Sequence, residues 1–551
     1  MFGNQSNISK QTSKLNIFKR HRILVNDRKF GNKNKLNKIR LNKCGSSNLG
    51  NLKNKKKSSY YSFHNKKKYA TTSSIEIKKA SNYVRNVDFM NAYREVNIET
   101  ASALQDSITD CEQLFEWIVY PLKKTDFFKN HWEKMPLHIK RNKPNFYRNL
   151  LSTSMLDSIL RENVIIFSKN IDITCFSNDI RETHNPPGRA LPSIVWDYYA
   201  NGCSIRLLNP QVYIQKLHVM NATLQEFFCC FVGANLYLTP PNSQGFAPHY
   251  DDIEAFVLQI EGKKRWRLYK PRTEKEYLPR EASPNLTQNE IGEPILETIV
   301  TAGDLLYFPR GTIHQGDTLN INEHSLHITI SVYQKNSWGD FLDKLLPISL
   351  TRAVNDDVMF RKGLPLDYSK YIGSACSTAS KNLFQDFKTK LKFLLNLIFS
   401  KYLDINKAAD EMFKNNIHDF LPPILNEDEN LYSVYAGGEK MIDGGIIINQ
   451  INIELDTFIR LSRFHCSRLV KDDYAYHLYY SCDNSKEYHE YELQYLEVDE
   501  EFVPAIQKLY QKFPHYIRVK TLPINETDKK IQIVRDLWEK GIIIAKVSIA
   551  D

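Results

Sequence analysis

His249 and Asp251 stand two positions apart at the head of "FAPHYDDIEAFVLQIEGKKRWRLY", residues 246–269. On an extended chain, positions i and i+2 share a face, so an imidazole nitrogen and a carboxylate oxygen would meet there. Sixty-five residues on, within the turn-rich "TAGDLLYFPRGTIHQGD", comes His314. Two strands that far apart in sequence become neighbours in a closed antiparallel barrel, and the three residues then form a two-histidine, one-carboxylate set. Such a set covers one triangular face of an octahedron and leaves three positions open, which suits non-haem Fe(II) with a chelating cosubstrate and dioxygen. Zinc more often takes a closed tetrahedral set or three ligands plus water, and the chain has no CxxC pair for a structural site. An HxD pair alone is as readily a solvated strand edge, so the neighbouring residues must carry the argument.

Strand parity, followed through an expected turn at "EGKK", puts Lys264 on the face of Trp266 and Leu268, the apolar face that looks inward. A buried ammonium needs an anionic partner, and the far carboxylate of a chelating dicarboxylate would supply one. Upstream, "ANLYLTPP" places Asn235 and Tyr237 on one face and Leu236 and Leu238 on the other. Downstream, "HSLHITISVY" places His327, Thr329 and Ser331 opposite Leu326, Ile328, Ile330 and Val332. A solvent-facing polar row explains either strand alone. Both together, around a metal set and an inward lysine, describe a polar cavity.

These strands need a frame. A chain of 551 residues with 42% hydrophobic and 12% aromatic residues has material for two to four domains. Residues 71 to about 200 alternate polar linker with helical patterns such as "DCEQLFEWIVYPL" and "TSMLDSILRE". From about 200 to 335 the apolar period falls towards two and turns recur, as in a barrel or sandwich. "SWGDFLDKLLPISL", "FQDFKTKLKFLLNLIFSKYL" and "KAADEMFKNNIHDFLPPIL" then return to a helical period, to about residue 425. The last part mixes a hairpin, "YAYHLYYS" then "YHEYELQYLEV", with helices at "EFVPAIQKLYQKF" and "DKKIQIVRDLWEKG". Cys229 and Cys230, read as strand neighbours, are expected to be core residues on opposite faces. No stretch is apolar for long enough to predict a membrane helix, and nine cysteines without a paired motif fit a reducing compartment.

Charge is concentrated at the start. Residues 1–70 carry 19 Lys and Arg against one acid, Asp27, which exceeds the whole chain's net +11 and leaves the body mildly acidic. Residues 1–80 are therefore expected to be a disordered basic tail. Its clusters at Lys55, Lys56, Lys57 and Lys66, Lys67, Lys68 suit an import receptor or RNA, while a merely solvated tail and a mitochondrial transit peptide remain alternatives.

"NLYLTPPNSQGFAPHYDDIEAFVLQIEGKKRWRLY", "GDLLYFPRGTIHQ" and "HSLHITISVYQKNSWGDFL" together resemble the JmjC-type ribosomal oxygenases, in particular their nucleolar histidyl hydroxylase branch, and "TDFFKNHWEKMPLHIKR" matches a further segment of that family. The resemblance implies an α+β chain: a JmjC double-stranded β-helix (jelly-roll) domain over 81–340, a helical dimerisation domain over 341–428 and a winged-helix-like domain over 429–551. It implies Fe(II), with 2-oxoglutarate and dioxygen as cosubstrates, held by His249, Asp251 and His314. It assigns Lys264, Asn235 and His327 to the cosubstrate, and Arg206, Tyr237 and Ser331 to the substrate peptide. The implied reaction is β-carbon hydroxylation of a histidine in large-subunit ribosomal protein eight by a homodimer in the nucleus or nucleolus. Demethylation of histone-tail lysines by the same iron centre is one rival, and a non-catalytic ribosome-assembly or chromatin scaffold is another. At the C-terminal end, "EYHEYELQYLEVDEE" is acidic and would repel phosphate, which favours protein contact over nucleic acid there.

Overall fold

The computed structural model describes residues 107–319, 322–374, 376, 381–435, 440–448, 451–472, 475–487 and 492–546. The basic tail lies outside the described residues. The α+β class and the barrel are as expected. Ten strands build the barrel: β1 (Leu137–Ile139), β2 (Ile171–Ser177), β3 (Ile180–Thr183), β4 (Ser204–Leu208), β5 (Val232–Thr239), β6 (Glu254–Tyr269), β7 (Leu296–Thr301), β8 (Leu305–Phe308), β9 (Ile313–Asp317) and β10 (Ser325–Val332). The neighbour order is β1-β8-β6-β10-β5-β4-β2-β3, with β7 and β9 added on β6.

The barrel closes through β6. Its first half pairs with β10 and β8 and its second half with β7 and β9, so one strand belongs to both sheets. The expected turn at "EGKK" is absent. Instead the pairing with β10 slips by one residue, Leu326 facing Glu261 and His327 facing Gln259, and Gly262 takes φ +63°. A bulge of this kind adds a residue to one strand and bends it without ending it. Only glycine fits: a Cβ at position 262 would lie 1.8 Å from the carbonyl oxygen of His324. The slip also inverts the parity of the strand. Ala255 and Val257 pack in the same cluster as Trp266 and Leu268, whereas Phe256, Leu258 and Ile260 pack on the other side. Without the extra residue, Lys263 and not Lys264 would face inward.

Alternation on β5 and β10 divides the barrel wall. Leu236, Leu238, Leu326, Ile328 and Ile330 are buried with Phe115, Phe127 and Leu224, beneath the helices Ser107–Val119 and Gln215–Phe228. Each such side chain contributes about 1.5–3 kcal/mol on burial. The second of these helices is a departure from the sequence reading, which ran strands through this stretch. Its pattern Leu217, Met220, Leu224, Phe228 is helical, and Cys229 ends it in the left-handed region at φ 53°. Cys229 is therefore an exposed cap residue and not a core strand residue; Cys230 is buried as expected.

After the barrel come the helices Trp338–Asp356, capped reciprocally by Ser337 and Asp340, then Lys381–Leu397 and Ile405–Asp419. The C-terminal unit pairs Ala475–Tyr480 with Tyr495–Val498, as the hairpin reading expects, and packs the helices Val503–Lys512 and Thr527–Glu539 on a core that includes Ile459, Leu478, Ile506 and Ile533. No helix among the described residues is long and apolar enough to cross a membrane.

Candidate metal centre

His249 sits in the approach to β6 and His314 on β9, and they face each other directly: His249 N–H donates to the His314 carbonyl at 3.3 Å, and His314 N–H donates to the His249 carbonyl at 2.8 Å. This reciprocal bridge carries both imidazoles to one side, with ring centroids 4.4 Å apart. Asp251 completes the group. Its carboxylate lies 3.8 Å from His249 Nε2 and 3.7 Å from His314 Nε2, and the three ligand atoms all fall within 4.8 Å of one another.

The tautomers are set from behind. His249 Nδ1 is 2.8 Å from the Ala247 carbonyl and His314 Nδ1 is 3.0 Å from the Thr312 carbonyl. A carbonyl only accepts, so each Nδ1 carries the proton and each Nε2 lone pair points toward Asp251. This arrangement orients metal-binding imidazoles. Burial, and then the neighbouring His249, push His314 down to about 4, so it stays neutral and able to ligate at ordinary pH. Two imidazole Nε2 atoms with one carboxylate match Fe(II) in donor chemistry.

Lys264 is 4% exposed, and its ammonium donates to Thr239 Oγ1 at 3.0 Å. Burial pulls it down to about 8, and among the described residues no carboxylate is ion-paired with it. Close by, Trp266 Nε1 and His327 Nδ1 are buried without a hydrogen-bond partner. Burial, then Lys264, hold His327 well below the usual histidine range. An unpaired cation and two orphaned polar atoms in one chamber are what a small dicarboxylate would satisfy.

Register aligns the other wall residues. Arg206 on β4 pairs with Tyr237 on β5, which pairs with His327 on β10, so these three form one lateral row; Asn235 and Thr329 pair in the adjacent one. The Tyr237 and His327 rings stack at 4.9 Å. All nine residues singled out in the sequence line one cavity of about 580 Å³, Ser331 included, a volume in the range of small-molecule sites.

Four contributors escaped the sequence reading. Thr239 follows Asn235 and Tyr237 at the same parity, and extending that alternation by one step would have found it. Asp172 on β2 holds Arg206, with Asn185 donating to its other oxygen at 2.8 Å. Phe246 stands edge-on to Tyr237 at 5.5 Å, and Arg181 on β3 lies 4.6 Å over the Phe246 ring. No local pattern marks Asp172, Phe246 or Arg181, since each depends on which strands pair.

Residues 206–340 match the family model described as JmjC domain, and residues 421–549 match the one described as Ribosomal oxygenase 1, C-terminal winged helix domain. The chain is 47% identical over 443 residues to Ribosomal oxygenase 1 of Gallus gallus, covering 80% of this chain and 73% of that one. It is 46% identical over 452 residues to the Bifunctional lysine-specific demethylase and histidyl-hydroxylase NO66 of Culex quinquefasciatus, covering 82% and 69%. Among solved structures, Escherichia coli ycfD matches with a TM-score of 0.41 at 13% identity, covering 77% of this chain and 98% of that one. With close to half the residues identical across more than two thirds of full-length relatives, the chain belongs to the ribosomal oxygenase 1 family of JmjC proteins.

Proposed function

We propose that the chain is an Fe(II)- and 2-oxoglutarate-dependent oxygenase that hydroxylates a histidine side chain of a ribosomal protein. The observation that carries this is the juxtaposition of two Nε2 lone pairs and the Asp251 carboxylate with the buried, unpaired ammonium of Lys264 in one cavity. His249, Asp251 and His314 would hold the iron, which together with 2-oxoglutarate would supply the oxygen activation needed to oxidise a substrate carbon.

The residues of the chain do the rest. His249, Asp251 and His314 leave the rest of the site to cosubstrate and substrate, because their ligand atoms converge on one point. Lys264, steadied by Thr239, takes the far carboxylate of the cosubstrate, and Asn235 and His327 bound its flank. Arg206, tethered by Asp172, together with Tyr237 and Ser331 positions the substrate peptide, so that the target carbon alone reaches the reactive face. Buried walls such as Trp266 and Phe308 keep out water.

A second reading is lysine demethylation, since relatives at more than 40% identity are named for both activities. The mouth favours the first. A methylated ammonium is best held by free aromatic faces, but Phe246 already has Arg181 at 4.6 Å and Arg206 at 5.7 Å over its ring. A neutral imidazole enters beside two guanidiniums with less repulsion. The helical segment supports the homodimer: the helix Lys381–Leu397 has no buried residue and exposes Leu391, Phe393 and Leu395. The lysine clusters of the tail support a nuclear or nucleolar location, tested by following tail-deleted protein in cells.

The deciding experiment incubates the enzyme with Fe(II), ascorbate and 2-oxoglutarate and two peptide sets, ribosomal histidine peptides and methylated histone lysines, beside an Asp251→Ala control. One added oxygen on histidine, absent from the control, supports the hydroxylase. Loss of methyl groups from lysine alone puts the demethylase first, and no change in either set points to the scaffold.

A further inference from the structure

Away from the cavity, on the far face of the same sheet edge, three more metal-binding side chains converge. Cys175 Sγ lies 3.2 Å from His184 Nε2, and Cys203 joins them, all three ligand atoms within 4.8 Å of one another. Glu182 stands beside them, its Oε2 at 3.9 Å from Cys175 Sγ and 3.6 Å from His184 Nε2. The proposed oxygenase chemistry uses none of these groups.

Strand register explains the convergence. Cys175 on β2 faces Glu182 on β3 directly, and His184, two residues beyond Glu182, shares its face while its N–H continues the ladder to the Ile173 carbonyl at 2.8 Å. On the other side of β2, Thr174 faces Ser204, so the next step of the register sets Cys203 beside Cys175. Three adjacent strands thus offer sulfur, nitrogen and sulfur to one point, with a carboxylate in reach. The His184 ring is stacked on Tyr198 at 5.7 Å, which restricts it to this direction.

We propose that Cys175, His184 and Cys203 form a second, structural metal site that takes Zn²⁺, with Glu182 completing a tetrahedron. Two thiolates and an imidazole are a softer set than the two imidazoles and carboxylate of the iron centre, and they suit zinc while disfavouring Fe(II). Burial raises both thiols, that of Cys203 up to about 11, so both carry protons until the metal arrives. Binding replaces two S–H bonds with two Zn–S bonds and releases two protons, with no change of oxidation state.

The site ties the edge strand β3, which is largely exposed, to β2 and β4. That strand carries Arg181, which lines the mouth of the cavity. Zinc would therefore hold the substrate edge of the barrel and leave the iron ligands untouched.

The test uses full-length protein carrying Asp251→Ala, which disables the iron centre, stripped with a chelator and titrated with Zn²⁺ alone or Co²⁺ alone. One equivalent of zinc is expected by elemental analysis, and cobalt should give a thiolate-to-metal charge-transfer band. Cys175→Ser and Cys203→Ser should each lower zinc affinity at least about 100-fold, beyond what loss of an outer-shell partner costs. Because Cys203 is buried, His184→Gln, at a half-exposed position, is the second variant, and it should lose zinc while keeping the wild-type circular dichroism. The proposal is overturned by an absence of bound zinc, by zinc that survives all three substitutions, or by a Cys175–Cys203 disulfide found by mass spectrometry in protein that was never exposed to oxidant.

Discussion

Replacing Lys264 with methionine should move two measurable quantities in opposite directions. Methionine keeps the length of the side chain and removes its charge. In the metal-free protein the ammonium is a burden: burial displaces it from 10.5 to about 8, equivalent to about 3 kcal/mol against folding at neutral pH. The sign follows from the depressed folded value. Below pH 8 both folded and unfolded lysines are protonated and the full cost applies; between 8 and 10.5 the folded lysine sheds its proton and the cost fades. Losing the 3.0 Å bond to Thr239 returns about 1 kcal/mol. The metal-free variant should therefore be about 2 kcal/mol more stable than wild type at pH 7, with the advantage shrinking toward pH 10. Once a dicarboxylate is bound the same charge becomes an asset, and truncating one partner of a buried charge pair costs about 2–5 kcal/mol. That corresponds to a Kd for 2-oxoglutarate raised from about 30-fold to a few thousand-fold. Urea denaturation of the metal-free protein at pH 7 and pH 9.5, with calorimetry of cosubstrate binding to the metal-loaded protein, reads both. Unchanged affinity would refute the assignment of Lys264 to the cosubstrate, and a loss of stability would refute the account of its burial.

Gly262→Ala should cost about 3 kcal/mol or more, because a Cβ at φ +63° runs into the His324 carbonyl; a drop in denaturation midpoint at unchanged m-value reads it. His218 is buried with Nε2 3.2 Å from the Pro422 carbonyl, and burial lowers it from 6.5 to about 4. The unfolded chain alone takes up this proton between those values, so stability should be complete above pH 6.5 and fall by about 3 kcal/mol toward pH 4. His218→Gln should flatten that part of the profile, and an unaltered slope would exclude His218 as its source. Phe393→Glu, on the helix that buries none of its residues, should convert a dimer to a monomer in light scattering without changing the helical signal; a mass that does not change would remove this helix from the interface.

What could be read locally was a matter of parity. Asn235 with Tyr237, and Lys264 with Trp266 and Leu268, share faces because an extended backbone alternates, whatever it packs against. The helices Ser107–Val119 and Thr153–Glu162 announced themselves by their 3.6-residue spacing. The helix Gln215–Phe228 was lost among strands because its apolar residues are diluted by Lys216, Asn221 and Gln225, the last two of which are buried all the same.

Composition and alternation, then, were enough to separate a basic tail from a barrel and to say which side chains share a wall, since both are properties of a few consecutive residues. The reciprocal backbone bridge between His249 and His314, the bulge that stands where a turn was expected, the Asp172 tether on Arg206 and the triad Cys175, His184 and Cys203 were decided by tertiary structure. Each depends on the register between paired strands, where a slip of one residue sends every side chain to the opposite face.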